Sequence, residues 1–132
     1  MTEFGFTHTV DVRYQDYDML GHVNNAVYLT YLEDARSAYF AERLGLSFGD
    51  IDMVVAHLEV DFRAPVKDAD EVDVAIAVTD VGDTSFTMGY EVRDGDTVAL
   101  EGESVQVTVD PETGESRPIP EAWRDAFGSP TA

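Results

Sequence analysis

The sequence predicts an α+β fold, and three observations carry that prediction. A strand-like segment near the start runs into one long amphipathic helix. Four further strand-like segments follow, joined by short turns. Those later strands form an antiparallel sheet whose apolar face must be covered, and one long helix is on hand to cover it.

Each element has a local reason. Phe6 to Tyr14 alternates with period two, setting Phe6, His8, Val10, Val12 and Tyr14 on one face, which predicts a half-buried strand. Residues 15–23 read as a loop, and Asn24 or Asn25 is a good helix N-cap. Tyr28, Leu32, Ala35 and Tyr39 recur at helical spacing. The helix is predicted to run to about Leu44, where Gly45 supplies the left-handed residue that ends it. Residues 47–52 connect to a long strand, Met53 to Arg63, closed by Ala64-Pro65. Glu71 to Val81 alternates as Val72, Val74, Ile76 and Val78, and Ser85 to Val92 is the next strand. Asp94-Gly95-Asp96 is a hairpin turn, and Val98 to Val109 returns from it. Residues 118–127 hold a short terminal helix around Ala122-Trp123. The 132 residues show no repeat or linker and are expected to form one domain.

Composition narrows the function classes. Apolar content is 44%, ordinary for a globular chain. No apolar run reaches the length of a membrane span, and no basic segment with an apolar stretch opens the chain, so a cytoplasmic protein is expected. There is no cysteine, which removes disulfides, thiolate nucleophiles and Cys-based metal sites together. The 27 Asp and Glu against 8 Lys and Arg give a formal charge of −19, and Lys67 is the sole lysine. Such a surface repels nucleic acid and anionic membranes, so neither is an expected partner. The acids are spread along the chain, which fits either a protein built for a high-salt, halophilic cytoplasm, where screening shortens repulsion to roughly 3 Å at molar salt, or simply an acidic, well-solvated surface, and the first is favoured.

The chemistry-bearing stretch is the strand-to-helix junction. Between Arg13 and Asn25 it gathers Asp16, Asp18, Gly21, His22 and two capping asparagines. A helix N-terminus carries unpaired N–H groups and partial positive charge. A carboxylate beside such an end suits chemistry on a polarised carbonyl. His8, His22 and His57 form no metal-ligand pair, and Asp16-Tyr17-Asp18 lacks the remaining ligands of a calcium loop, so no metal is predicted. His57 and Glu59 share one strand face, read as solvated.

Asp16-Tyr17-Asp18-Met19-Leu20-Gly21-His22-Val23-Asn24-Asn25-Ala26-Val27-Tyr28 resembles the D-x-D-x-x-G-[HV]-V-x-[NH]-x-x-Y signature of hotdog-fold acyl-CoA thioesterases, the 4-hydroxybenzoyl-CoA thioesterase and YbgC-like group. Val60-Asp61-Phe62-Arg63-Ala64-Pro65-Val66 with Asp70-Glu71-Val72 is similar to the strand and turn after the helix in that group. The resemblance implies a long helix wrapped by a curved, mainly antiparallel five-stranded sheet, a homodimer or homotetramer, and sites between subunits. It implies hydrolysis of an acyl-CoA thioester to free acid and CoA, with no cofactor beyond the CoA of the substrate. It puts Asp18 in the catalytic carboxylate position and the Asn25 backbone N–H in the oxyanion-donor position, and leaves Asp16 as a structural turn residue.

Asp18 then acts either as nucleophile, through a mixed anhydride, or as general base toward water, and the sequence leaves both routes open. Gly21 permits a positive φ or close approach of substrate. His22 is near enough to orient water or a carbonyl, and Tyr28, on the helix stripe, is either core or pocket lining. CoA phosphates facing so acidic a protein require local cations: Arg63 and Lys67 at one turn, Arg93 at another, with Arg36 and Arg43 as further candidates. Each of these is equally a surface ion-pair partner. Two alternatives remain at this level. One is a hotdog hydratase or dehydratase, whose D-x-x-x-x-H pattern the Asp18 and His22 spacing does not match. The other is a non-catalytic acyl-CoA-binding module of the same fold.

Overall fold

The computed structural model describes residues 4–47, 49 and 52–128. In chain order the elements are β1 (Phe6–Asp11), a 3-10 turn (Tyr14–Asp16), α1 (Asn25–Leu44), β2 (Met53–Phe62), β3 (Glu71–Val81), β4 (Ser85–Asp94), β5 (Thr97–Thr108) and α2 (Glu121–Phe127). The five strands form one antiparallel sheet in the order β1-β3-β4-β5-β2. With α1 packed on it, this is the hotdog arrangement, a long helix against an antiparallel five-stranded sheet.

The helix forms where its caps and stripe require. Asn24 is the N-cap, its side chain accepting from the Ala26 N–H at 2.9 Å. Gly45 closes the helix at φ 67°, a left-handed value that suits glycine. Between them Tyr28, Tyr31, Leu32, Ala35, Tyr39 and Phe40 are buried. They meet Phe6, Val72, Val74, Ile76, Phe86, Met88 and Val92 from the sheet. Phe6 meets Tyr39 edge-on at 5.3 Å between ring centroids, and such pairs add about 0.5–1.5 kcal/mol beyond area burial. Leu32 is fully buried at the centre of the stripe, so truncation to alanine is expected to cost about 2–5 kcal/mol.

The first strand is shorter than its alternation suggests. Pairing with β3 stops at Asp11–Glu71, and Arg13 then caps the 3-10 turn. Tyr14, expected on the buried face, is 93% exposed. A local capping box, not periodicity, ends the strand: the Arg13 N–H goes to the Asp16 carboxylate at 2.9 Å. His8 keeps its place opposite Val74 and reaches Asp34 of α1 at 3.4 Å. The β4–β5 hairpin is longer than predicted, pairing as far as Asp94–Thr97.

Strand β2 pairs only with β5 and lies at the sheet edge. None of its residues is buried, and Val54, Val55, Leu58 and Phe62 are exposed large apolar side chains. A register shift between Val55 and His57 resets the alternation. Beyond it Leu58, Val60 and Phe62 lie opposite Ser104, Gly102 and Leu100, on the α1 side. His57, Glu59 and Asp61 take the outer face. No helix among the described residues is long and apolar enough to cross a membrane.

Candidate active site

Two loops build the junction. Residues 17–23 form a small closed turn, pinned by the Tyr17–Val23 bridge, by Asp18 N–H to His22 O at 2.8 Å and by Gly21 N–H to Asp18 O at 3.1 Å. Gly21 sits at φ 77°, the left-handed conformation that this turn requires. Residues 64–70 dock beside it. Val23 N–H reaches Val66 O at 2.9 Å, while the Tyr17 hydroxyl both donates to Ala69 O at 2.9 Å and accepts from Ala69 N–H at 3.0 Å.

The two aspartates have opposite surroundings. Asp16 is 1% exposed, and Asn24 N–H reaches its carbonyl at 2.9 Å. Its carboxylate accepts from Arg13 N–H at 2.9 Å, from the Arg13 guanidinium at 3.1 Å and from the Tyr31 hydroxyl at 2.8 Å. Burial alone would raise its pKa, but these bonds outweigh burial and hold the carboxyl below its ordinary value.

Asp18 is half-buried. Its Oδ1 accepts from Leu20 N–H at 2.9 Å and from His22 N–H at 3.3 Å. Oδ2 has no hydrogen-bond partner among the described residues. One oxygen is thus oriented and the other is available, which suits a carboxylate that must attack a carbon or a water proton. At the helix start, Asn24 takes up the N–H groups of Ala26 and Val27, leaving the Asn25 N–H without an acceptor among the described residues.

The other sequence-predicted positions are distributed as follows. The His22 imidazole is half-buried and makes no hydrogen bond or ion pair among the described residues. Tyr28 is 2% exposed, and its ring meets that of Phe62 at 5.6 Å. Burial pushes its hydroxyl pKa up, partly offset by the Val66 backbone. Lys67 is exposed beside the docked Val66, with no carboxylate partner among the described residues. Arg63 is bound to Glu101 at 3.1 Å and lies 3.9 Å from Asp61.

Arg93 is engaged with Glu91 at 2.5 Å and lies over the Phe4 ring. It lines an outer-face groove of about 820 Å³ with Glu59, Asp61, Glu91, Glu101 and Glu103, and no residue of the Asp18 turn borders that groove. His57 and Glu59, 3.7 Å apart, are exposed, as expected of a solvated face. No group of three or more His, Asp or Glu among the described residues is placed to hold a metal.

Three relationships lacked a sequence signal. Tyr31 meets Asp16 and Tyr17 meets Ala69 only because the fold closes long loops. Arg36 donates to the Tyr90 hydroxyl at 3.3 Å across 54 residues.

Comparison with known proteins agrees with this architecture. Residues 12–127 match the family model of the thioesterase-like superfamily. The uncharacterized protein YsmA of Bacillus subtilis is 32% identical over 118 residues, covering 87% of this chain and 80% of that one. A thioesterase from Thermus thermophilus, solved with coenzyme A and Zn, superposes with a TM-score of 0.87 at 38% identity, covering 96% of this chain and all of that one. A predicted thioesterase from Bacillus stearothermophilus gives a TM-score of 0.85 at 30% identity, covering 92% of each chain. The chain belongs to the thioesterase-like superfamily, and its chemistry is thioester hydrolysis.

Proposed function

We propose that this protein hydrolyses an acyl-CoA thioester to the free acid and CoA, with Asp18 as the reacting carboxylate. The observation that carries this reading is the contrast at the junction. Asp16 has its carboxylate fully engaged in the interior, whereas Asp18 is held by one oxygen, in the turn that leads into a helix start whose Asn25 N–H has no acceptor among the described residues. In the nucleophilic route a carboxylate oxygen of Asp18 bonds to the thioester carbon and the CoA thiolate leaves. Water then cleaves the mixed anhydride, returning Asp18 and the free acid. In the general-base route Asp18 takes a proton from the attacking water. Both routes place negative charge on the former carbonyl oxygen, where the Asn25 N–H and the helix N-terminus stabilise it.

Coenzyme A in the Thermus thermophilus relative supports CoA as the carrier. Lys67 stands beside the Asp18 turn as the cation best placed for its phosphates, with Arg63 second because it must loosen from Glu101. The exposed apolar edge of β2 is covered, on this reading, by β2 of a second copy, which completes the site in a homodimer or homotetramer. A panel of aliphatic and aromatic acyl-CoA thioesters, assayed by thiol release, tests the proposal. Turnover of at least one thioester, lost in Asp18→Asn, is expected, and a panel without turnover would overturn it.

A further inference from the structure

Arg36 shares with Arg43, Lys67 and Arg124 the lack of an ion-pair partner among the described residues, but of these four it alone donates to a buried side-chain hydroxyl. The chain holds 27 Asp and Glu, yet among the described residues no carboxylate lies within ion-pair distance of this half-buried guanidinium. Its carbon is 5.8 Å from the Tyr90 ring centroid, and one Nη1 donor reaches the Tyr90 hydroxyl at 3.3 Å. A guanidinium has five N–H donors, so most remain unspent.

Proton bookkeeping shows which way the network beneath it runs. Gln106 Nε2 donates to Phe86 O at 3.2 Å and to Ser104 O at 3.4 Å, which leaves Oε1 as an acceptor. Ser104 Oγ spends its proton on that Oε1, so toward Tyr90 it can only accept. Tyr90 therefore spends its own proton on Ser104 and accepts from Arg36. Tyr90, Ser104 and Gln106 are each at most 2% exposed. The chain of donors ends inside on a carbonyl and outside on Arg36, a pure donor. Such an end calls for an anionic acceptor.

Arg36 also borders the surface on which an acyl group would lie. Tyr90 pairs with Gly102, and Gly102 with Val60 of β2. Along that same face run Phe62 and Leu58, exposed and apolar, with Leu29 exposed on α1. Phe62 touches Tyr28 at the first turn of α1, beside the Asp18 turn. From Tyr28 to Arg36 the helix advances about 12 Å, and side chains lean back toward the N-terminus.

We propose that Arg36 is a specificity-determining residue that selects acyl groups ending in a carboxylate, the far end of a medium-chain dicarboxylic monothioester. The proposal rests on the acyl-thioester reading above. The apolar strip takes the methylene chain, and the unspent Arg36 donors take the terminal carboxylate. That pairing is charge-assisted and strongest where water is displaced.

Suberyl-CoA and octanoyl-CoA differ only in the terminal carboxylate and are the probes. Wild-type kcat/KM is expected to favour suberyl-CoA by about 10-fold or more, the worth of a charged hydrogen bond. Arg36→Met should collapse that ratio and Arg36→Lys should keep part of it, with melting temperatures reported for both. Equal losses on the two substrates would assign Arg36 a structural role and overturn the proposal. So would a structure of the oligomer with Arg36 paired to a carboxylate of a second copy. Calorimetric binding of free suberate to the wild type and to Arg36→Met separates this idea from the catalytic one. Arg36-dependent suberate binding without thioester turnover would leave the recognition standing and remove the hydrolysis. Suberate binding unchanged by Arg36→Met would remove the recognition whatever the turnover.

Discussion

Tyr31 donates its hydroxyl hydrogen to Oδ2 of Asp16 at 2.8 Å inside the protein. Two residues further on, Asp18 carries an oxygen that has no such partner among the described residues. This division of labour makes the two aspartates separable by experiment.

Asp18→Asn should leave the melting temperature nearly unchanged, because the amide oxygen still accepts from Leu20 and His22. Its kcat should fall by about 10²–10⁴-fold, the usual worth of a positioned acid or base. Asp16→Asn should instead cost about 1–3 kcal/mol of stability, since either Oδ2, which Arg13 N–H and the Tyr31 hydroxyl share, or Oδ1, which the Arg13 guanidinium uses, is lost as an acceptor. If Asp16→Asn folds as the wild type does yet loses activity, while Asp18→Asn retains it, the roles are reversed.

The Asp16 cluster also predicts acid sensitivity. Its carboxyl has a folded-state pKa below the ordinary value, which is about 3.9. The unfolded chain then binds the proton first as pH falls. The stabilisation is present above about pH 4 and is lost as pH drops through the folded-state pKa. The gap in melting temperature between wild type and Asp16→Asn, followed by circular dichroism, should narrow below about pH 4. A gap that stays constant would mean that the ionised form contributes nothing.

The outer face predicts a response to salt. Glu59 lies directly opposite Glu103, and Asp61 opposite Glu101, placing like charges across strands. Sharing a hydrogen bond with Glu59, more than burial, raises the Glu103 pKa. A raised carboxyl pKa stabilises the fold at pH values below the unfolded one, about 4.3, and that contribution is lost as pH rises through the folded value. Glu103→Gln should therefore raise the melting temperature at pH 7 by about 1–4 °C, less so near pH 4. Wild-type stability should rise from low to molar potassium chloride, and a flat or falling trend would remove salt adaptation as the reason for the acidity.

Lys67→Ala is expected to raise KM for acyl-CoA more than Arg63→Ala, with kcat little changed in either. Lys67 has no carboxylate to leave among the described residues, whereas Arg63 must compete with Glu101. Phosphates far from the reacting carbon contribute mainly uniform binding. Steady-state kinetics at one ionic strength decides, and unchanged KM in both variants would move the CoA site elsewhere.

Local chemistry was enough to place the helix, since Asn24, the Tyr28–Tyr39 stripe and Gly45 are a cap, a face and a stop that act within a few residues. Glu71 to Val81 was legible for the same reason, because alternation of Val72, Val74, Ile76 and Val78 reports one buried face. The positions of Asp16 and Asp18 were legible only as a spacing, and their different surroundings were not. Asp16 has a local partner in Arg13, three residues away, but its bond to Tyr31 of α1 depends on chain closure that no local pattern encodes. The strand order behaves likewise: nothing in Met53 to Phe62 says that it will pair with β5 and lie at an edge. Arg36 read only as one cation among several. The tertiary structure alone set it over Tyr90, where a buried run of donors gives its unspent N–H groups a direction.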